Sequence, residues 1–172
     1  MECRINAEDP FRNFLPSTGR LVHYLPPATT MEAAGPVPVG GAVRVDTGVF
    51  EGGEIPMYYD SMIAKLVVHG FDRSDAIRRM REALNGFVIR GVASNIAFQS
   101  ALLAHPRFVA GDFDTGFIAE QYPQGFRAED VVHEDPDFLL ALAAVTYRRY
   151  RERAARITGQ LPGHEMRIGD EF

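Results

Sequence analysis

IAKLVVHGFDRSDAIRRMREALNGF, residues 63–87, carries two hydrophobic periods in one run. Ile63 to His69 is apolar almost without a break, as expected of a strand central to its sheet. From residue 72 the apolar positions recur every three or four residues. Ala76, Ile77, Met80, Ala83, Leu84 and Phe87 form one stripe, and Arg78, Arg79, Arg81 and Glu82 lie off it. Asp72 or Ser74 can cap the start of this helix, and Gly86 sits near its end. A central strand leading into an amphipathic helix sets the α+β reading of everything around it.

Upstream, Glu2 to Ala7 alternates polar and apolar residues. Glu2, Arg4 and Asn6 share one face of a half-buried strand, and Asp9-Pro10 breaks it. A second strand is expected from Arg20 to Leu25, stopped by Pro26-Pro27, and a third from Ala42 to Thr47. Residues 28–41 hold Gly35, Pro36, Pro38 and Gly40 and read as loop, and Gly52-Gly53 reads as a turn. Downstream, a short β-type run covers Phe87 to Ile89. Ser94 is placed to cap a helix from Asn95 to Ala104, and a short helical piece follows near Phe117 to Gln121. These elements predict a small antiparallel sheet with packed helices over residues 1–121, then a linker over 122–135. Asp135-Pro136 opens a long helix in the segment 136–172, which Gly159 would terminate. Its first half, Phe138 to Val145, is apolar on every side and calls for cover from a partner or from further sequence. Its second half carries Arg148, Arg149, Arg151, Arg153 and Arg156.

Composition narrows the function. The 172 residues are 46% hydrophobic and 24% charged, as in ordinary globular domains. A net charge of −5 argues against broad binding to a phosphate backbone. No apolar run approaches the roughly 20 residues of a membrane span, and Met1-Glu2-Cys3-Arg4 begins no signal-peptide core. Cys3 is the single cysteine and Lys65 the single lysine. A lone cysteine forms no internal disulfide, which fits a reducing, cytoplasmic setting.

Most catalytic signatures are missing: no phosphate-cradling glycine loop, no dinucleotide fingerprint, no nucleophile elbow. His23, His69, His105, His133 and His164 are scattered without zinc-ligand spacing, so no metal site is expected. Two segments stand apart. Glu2 to Pro10 concentrates Glu, Arg, Asn and Asp on one strand. Arg4 there is either a holder for an oxyanion, through permanently charged planar donors, or part of a solvated face with surface ion pairs. Asp60, in Tyr58-Tyr59-Asp60-Ser61-Met62, either receives a ligand N–H or closes an Asx turn.

Glu-Cys-Arg-Ile-Asn-Ala-Glu-Asp-Pro (2–10), followed by Phe14-Leu15-Pro16-Ser17 and Gly19, resembles the biotin carboxylase C-terminal domain. Tyr58-Tyr59-Asp60-Ser61-Met62-Ile63-Ala64-Lys65-Leu66 is similar to that domain's second signature. The resemblance covers about residues 1–121. It implies ATP- and bicarbonate-dependent carboxylation of biotin in a complete enzyme, with Arg4 stabilising the biotin enolate oxygen, Asp60 near the biotin, and Arg44 at a dimer contact. In the family, biotin is carried on another domain. ATP and Mg2+ are held by an upstream ATP-grasp part that these residues do not include, so no activity is expected of the chain by itself. The tail resembles α subunits of acyl-CoA carboxylases, most closely propionyl-CoA carboxylase. The partners implied are the ATP-grasp and biotin-carrier domains and a carboxyltransferase β subunit. The alternative is a non-catalytic interaction module that binds a carboxylase partner.

Overall fold

The structure, a computed structural model, describes residues 1–31, 40–57, 60–133 and 135–155. Tyr58, Tyr59, Arg156, Gly159 and most of the 28–41 loop lie outside the described residues. The chain forms two units, Met1–Val132 and His133–Phe172.

In the first unit, strands β1 (Glu2–Asn6) and β2 (Glu8–Asp9) lead through a 3-10 turn, Pro10–Arg12, to β3 (Leu15–Pro16). Asp9 caps that turn by accepting from the Phe11 N–H at 3.0 Å. Asn13 and Phe14 both take left-handed backbone conformations (φ 53° and 58°), which reverses the chain so that β3 returns along β2. Strands β4 (Gly19–Arg20), β5 (His23–Leu25), β6 (Ala42–Thr47), β7 (Glu54–Ile55) and β8 (Met62–His69) follow. The main sheet is antiparallel in the order β1-β8-β6, with β8 central, as its continuous apolar run requires.

The strand expected over Arg20 to Leu25 is split. β4 pairs with β7, whereas β5 pairs with β9 (Val88–Arg90). The reason is local: fully buried Leu21 plugs the core, and its N–H and C=O bond to Gly53 and Gly52. The next N–H, that of Val22, turns to the Arg90 carbonyl at 2.8 Å.

Helix α1 (Arg73–Asn85) lays Ile77, Met80, Ala83 and Leu84 on β8, the stripe that the periodicity predicts. Its N-cap is Asp72, whose side chain accepts from the Asp75 N–H at 2.8 Å. Asp75 in turn receives Arg79, Arg78 and the Phe71 N–H, which hold its carboxyl down at about 2. Helices α2 (Ile96–Ala104), α3 (Pro106–Ala110) and α4 (Phe117–Gln121) follow. Phe98 from α2 gathers Phe14, Tyr122 and Phe126 edge-on, with ring centroids 4.9–5.6 Å apart, in a second small core. Residues just beyond α4 are thereby packed on the first unit.

The second unit contains α5 (Pro136–Ala155). Asp135 caps it through the Phe138 N–H at 2.9 Å. Arg148 and Glu152 pair at 3.0 Å one turn apart. Phe138, Leu139, Leu140, Leu142 and Val145 are exposed. None of the helices in the described residues is long and apolar enough to cross a membrane.

The crossing between β4 and β9 tolerates no side chain at Gly91. Its φ is +102°, and a Cβ there would meet the Arg20 carbonyl oxygen at 2.1 Å. Gly91→Ala is expected to destabilise the first unit by about 1–3 kcal/mol or more, read as a lower urea midpoint. An unchanged midpoint would show that the two ladders are not held this closely.

Candidate functional site

The two segments singled out in the sequence are neighbours in space. β1 pairs antiparallel with β8, so that Arg4 faces Lys65, Ile5 faces Ala64 and Asn6 faces Met62. The register slips between Ile5 and Asn6, leaving Ile63 as an extra residue on β8. That bulge explains why Ile63 and Ala64, adjacent in the chain, are both buried.

On the polar face of the sheet, Arg4, Lys65 and Asp46 stand in one row, and Glu2, Val67 and Arg44 in the next. The Arg4 side chain is 68% exposed, and its Nε is met by Glu2 Oε1 at 3.3 Å. An ion pair this exposed contributes at most about 1 kcal/mol, so it leaves the guanidinium free to change partners. Lys65 directly opposite adds a second positive charge to the row. Arg44 pairs with Asp46 at 3.1 Å along β6.

Glu8 joins the two segments. One carboxylate oxygen accepts from Asn6 Nδ2 at 3.0 Å and from Ser61 Oγ at 2.7 Å, and the Ala7 N–H donates to the Ser61 carbonyl at 2.7 Å. Asp60 Oδ1 accepts from the Met62 N–H at 3.0 Å, closing an Asx turn at the start of β8. Its side chain remains exposed. The structure thus places Arg4 and Arg44 on one three-stranded sheet, on opposite sides of β8, and Asp60 in the turn that leads into β8. Among the described residues no cluster of His, Cys, Asp and Glu is arranged to hold a metal ion.

Two residues at this site escaped the sequence reading. Asn95 was expected inside a helix capped by Ser94. It is instead the N-cap of α2, and its side chain makes no cap bond. Its carboxamide reaches β1: Oδ1 accepts from the Asn6 N–H at 3.0 Å, and Nδ2 donates to the Arg4 carbonyl at 3.1 Å. Gln99, one turn on, donates to the same carbonyl at 2.6 Å. The only signal for Asn95 in the sequence is an Asn at a helix start, which predicts a cap and conceals the longer reach.

With the geometry in place, the comparisons agree on one family. Residues 2–120 match the family model for the biotin carboxylase C-terminal domain. The propionyl-CoA carboxylase alpha chain of Ruegeria pomeroyi is 47% identical over 183 residues, covering 100% of this chain and 27% of that one. Biotin carboxylase 1 of Bacillus subtilis is 48% identical over 118 residues, covering 69% of this chain and 24% of that one. Among solved structures, the biotin carboxylase domain of Hydrogenobacter thermophilus 2-oxoglutarate carboxylase, in complex with MgADP, ADP and bicarbonate, superposes with a TM-score of 0.60. It is 38% identical and is matched over 70% of this chain and 24% of that one. The chain therefore belongs to the biotin carboxylase C-terminal domain family, and it spans about a quarter of the length of these relatives.

Cys3, beside Arg4 on β1, faces inward against the core, and burial pushes its thiol from an ordinary value of 9.0 up to about 11. A raised thiol pKa leaves stability flat below pH 9.0 and lowers it as pH rises from there through about 11, because the unfolded chain loses its proton first. Alkylation of the folded chain by iodoacetamide at pH 8 is expected to run at least about 100-fold slower than in urea. Equal rates in the two states would place Cys3 on the surface.

Proposed function

We propose that these residues serve as the C-terminal part of the biotin carboxylase component of an acetyl- or propionyl-CoA carboxylase α subunit, and that Arg4 holds the biotin enolate oxygen there. The observation that carries the reading is the contrast at Arg4. Its carbonyl is held by two amides on the free edge of β1, while its side chain stays exposed on a surface ion pair. A fixed base carrying an available head suits a group that must meet a developing negative charge with planar, permanently protonated donors.

Bound biotin supplies a ring nitrogen that accepts the carboxyl group. Arg4 would face the ureido carbonyl oxygen on the carbon bonded to that nitrogen, with the Lys65 charge across from it on the sheet. Asp60, exposed at the start of β8, would orient the biotin at its rim, and Arg44 would belong to a contact between subunits. ATP, Mg2+ and bicarbonate would be bound by the ATP-grasp part, and biotin would arrive on a carrier domain. Residues 1–121 would make up the domain itself and 122–135 the link. Residues 136–172 would begin the segment that meets the carboxyltransferase β subunit, where the exposed aliphatic half of α5 would find its cover. The 172 residues alone would be inactive.

In a complete α subunit carrying these residues, Arg4→Ala is expected to lower biotin carboxylation by about 100- to 1,000-fold, the usual loss when one oxyanion donor is removed. Fixation of labelled bicarbonate on free biotin measures it. Wild-type turnover by the variant would remove Arg4 from the reaction. If the isolated chain instead bound an intact carboxylase, the interaction-module reading would replace this one.

A further inference from the structure

Strand β1 is the edge of its sheet. β8 lies on one side of it, and on the other the Arg4 carbonyl and both backbone groups of Asn6 point away from any strand. Such an edge is ordinarily left to water or covered. Here Asn95 covers it. The carboxamide takes the Asn6 N–H and the Arg4 carbonyl together, and the Asn95 backbone N–H donates to the Asn6 carbonyl at 3.2 Å. Gln99 adds a second donor to the Arg4 carbonyl at 2.6 Å. One residue thus stands in for a neighbouring strand at Arg4 and Asn6, with the register slip falling between those two positions.

Three features mark this as more than general packing. Asn95 is 8% exposed and is the buried polar residue of the described core. It forgoes the side-chain cap that an Asn at a helix start normally makes. Its bonds fall on Arg4 and on Asn6, whose side chain is tied through Glu8 to Ser61 beside Asp60.

We infer that Asn95, supported by Gln99, is a positioning residue that fixes where Arg4 presents its guanidinium during biotin carboxylation. The inference rests on the role proposed above for Arg4. An edge strand paired across a bulge in its neighbour can, without its cover, shift along its register or lift from β8. A displacement of about 1 Å at a group that must meet a reacting atom is enough to cost about 100-fold in rate.

The test is a double-mutant cycle in a complete carboxylase α subunit carrying these residues, read by fixation of labelled bicarbonate on free biotin. Asn95→Ala is expected to lower kcat by about 10- to 100-fold, and Gln99→Met, a half-buried change that preserves helix and volume, by about 3- to 10-fold, with KM for ATP unchanged in both. In an Arg4→Ala background neither substitution should lower kcat further, because its effect passes through a side chain already removed. If either loss multiplies that of Arg4→Ala, the amides act on the fold in general and the inference is overturned. It is also overturned if Arg4→Ala is impaired while both amide variants turn over normally; the reading of Arg4 then survives alone. An Arg4→Ala enzyme with wild-type turnover overturns both. Should Asn95→Ala not accumulate, the cycle with Gln99→Met decides by the same criteria.

Discussion

Strand β8 has a backbone partner on each side and a helix beneath it, and the rest of the first unit is arranged around that constraint. Its run of Ile63, Ala64, Leu66 and Val68 buries against α1, while β1 and β6 satisfy its N–H and C=O groups. A strand so apolar is stable only when all of its backbone groups are paired and its inner face is covered. Everything polar is consequently displaced to the outer face, where Arg4, Lys65, Asp46 and Arg44 line up in rows. The concentration of charge on one face of the sheet follows from burying the other.

The parts of the fold that depend on local pattern were legible in the sequence. The stripe from Ile77 to Leu84, the capping Asp72, the strand from Ala42 to Thr47 and the central strand all follow from period and capping chemistry. What depends on distant partners was not. The Arg20–Leu25 segment alternates like one strand, yet it divides because its halves pair with β7 and β9, which lie more than 30 and 60 residues further on. Periodicity reports which way side chains point and carries no information about which backbone lies alongside.

The site shows the same division. Arg4 and Asp60 were visible because charged residues on a strand and before a central strand are uncommon enough to mark. Asp60 does close the Asx turn that its local sequence suggests, and its side chain remains exposed. Asn95 was not visible, since its bonds to Asn6 and Arg4 span 89 and 91 residues. Nothing in the residues near it distinguishes an Asn that caps its own helix from one that covers the edge of a sheet. The bond between Glu8 and Ser61, within the two marked segments, was hidden for the same reason: it joins residues 53 apart.

The distribution of restraint around Arg4 bears on how the domain relates to the reaction proposed for it. Holding one oxyanion is worth about 3–4 kcal/mol, judged by the loss when a single donor is removed. Enzymatic accelerations correspond to about 8–23 kcal/mol. In that reaction Arg4 would account for a part of the barrier, and the larger part would have to come from groups held elsewhere in a complete enzyme. A residue that contributes one such part is most effective when its backbone is immobile and its head group stays mobile enough to meet a substrate delivered by another domain. The edge strand β1, held along its free edge by two amides and carrying Arg4 on a single exposed ion pair, has that combination.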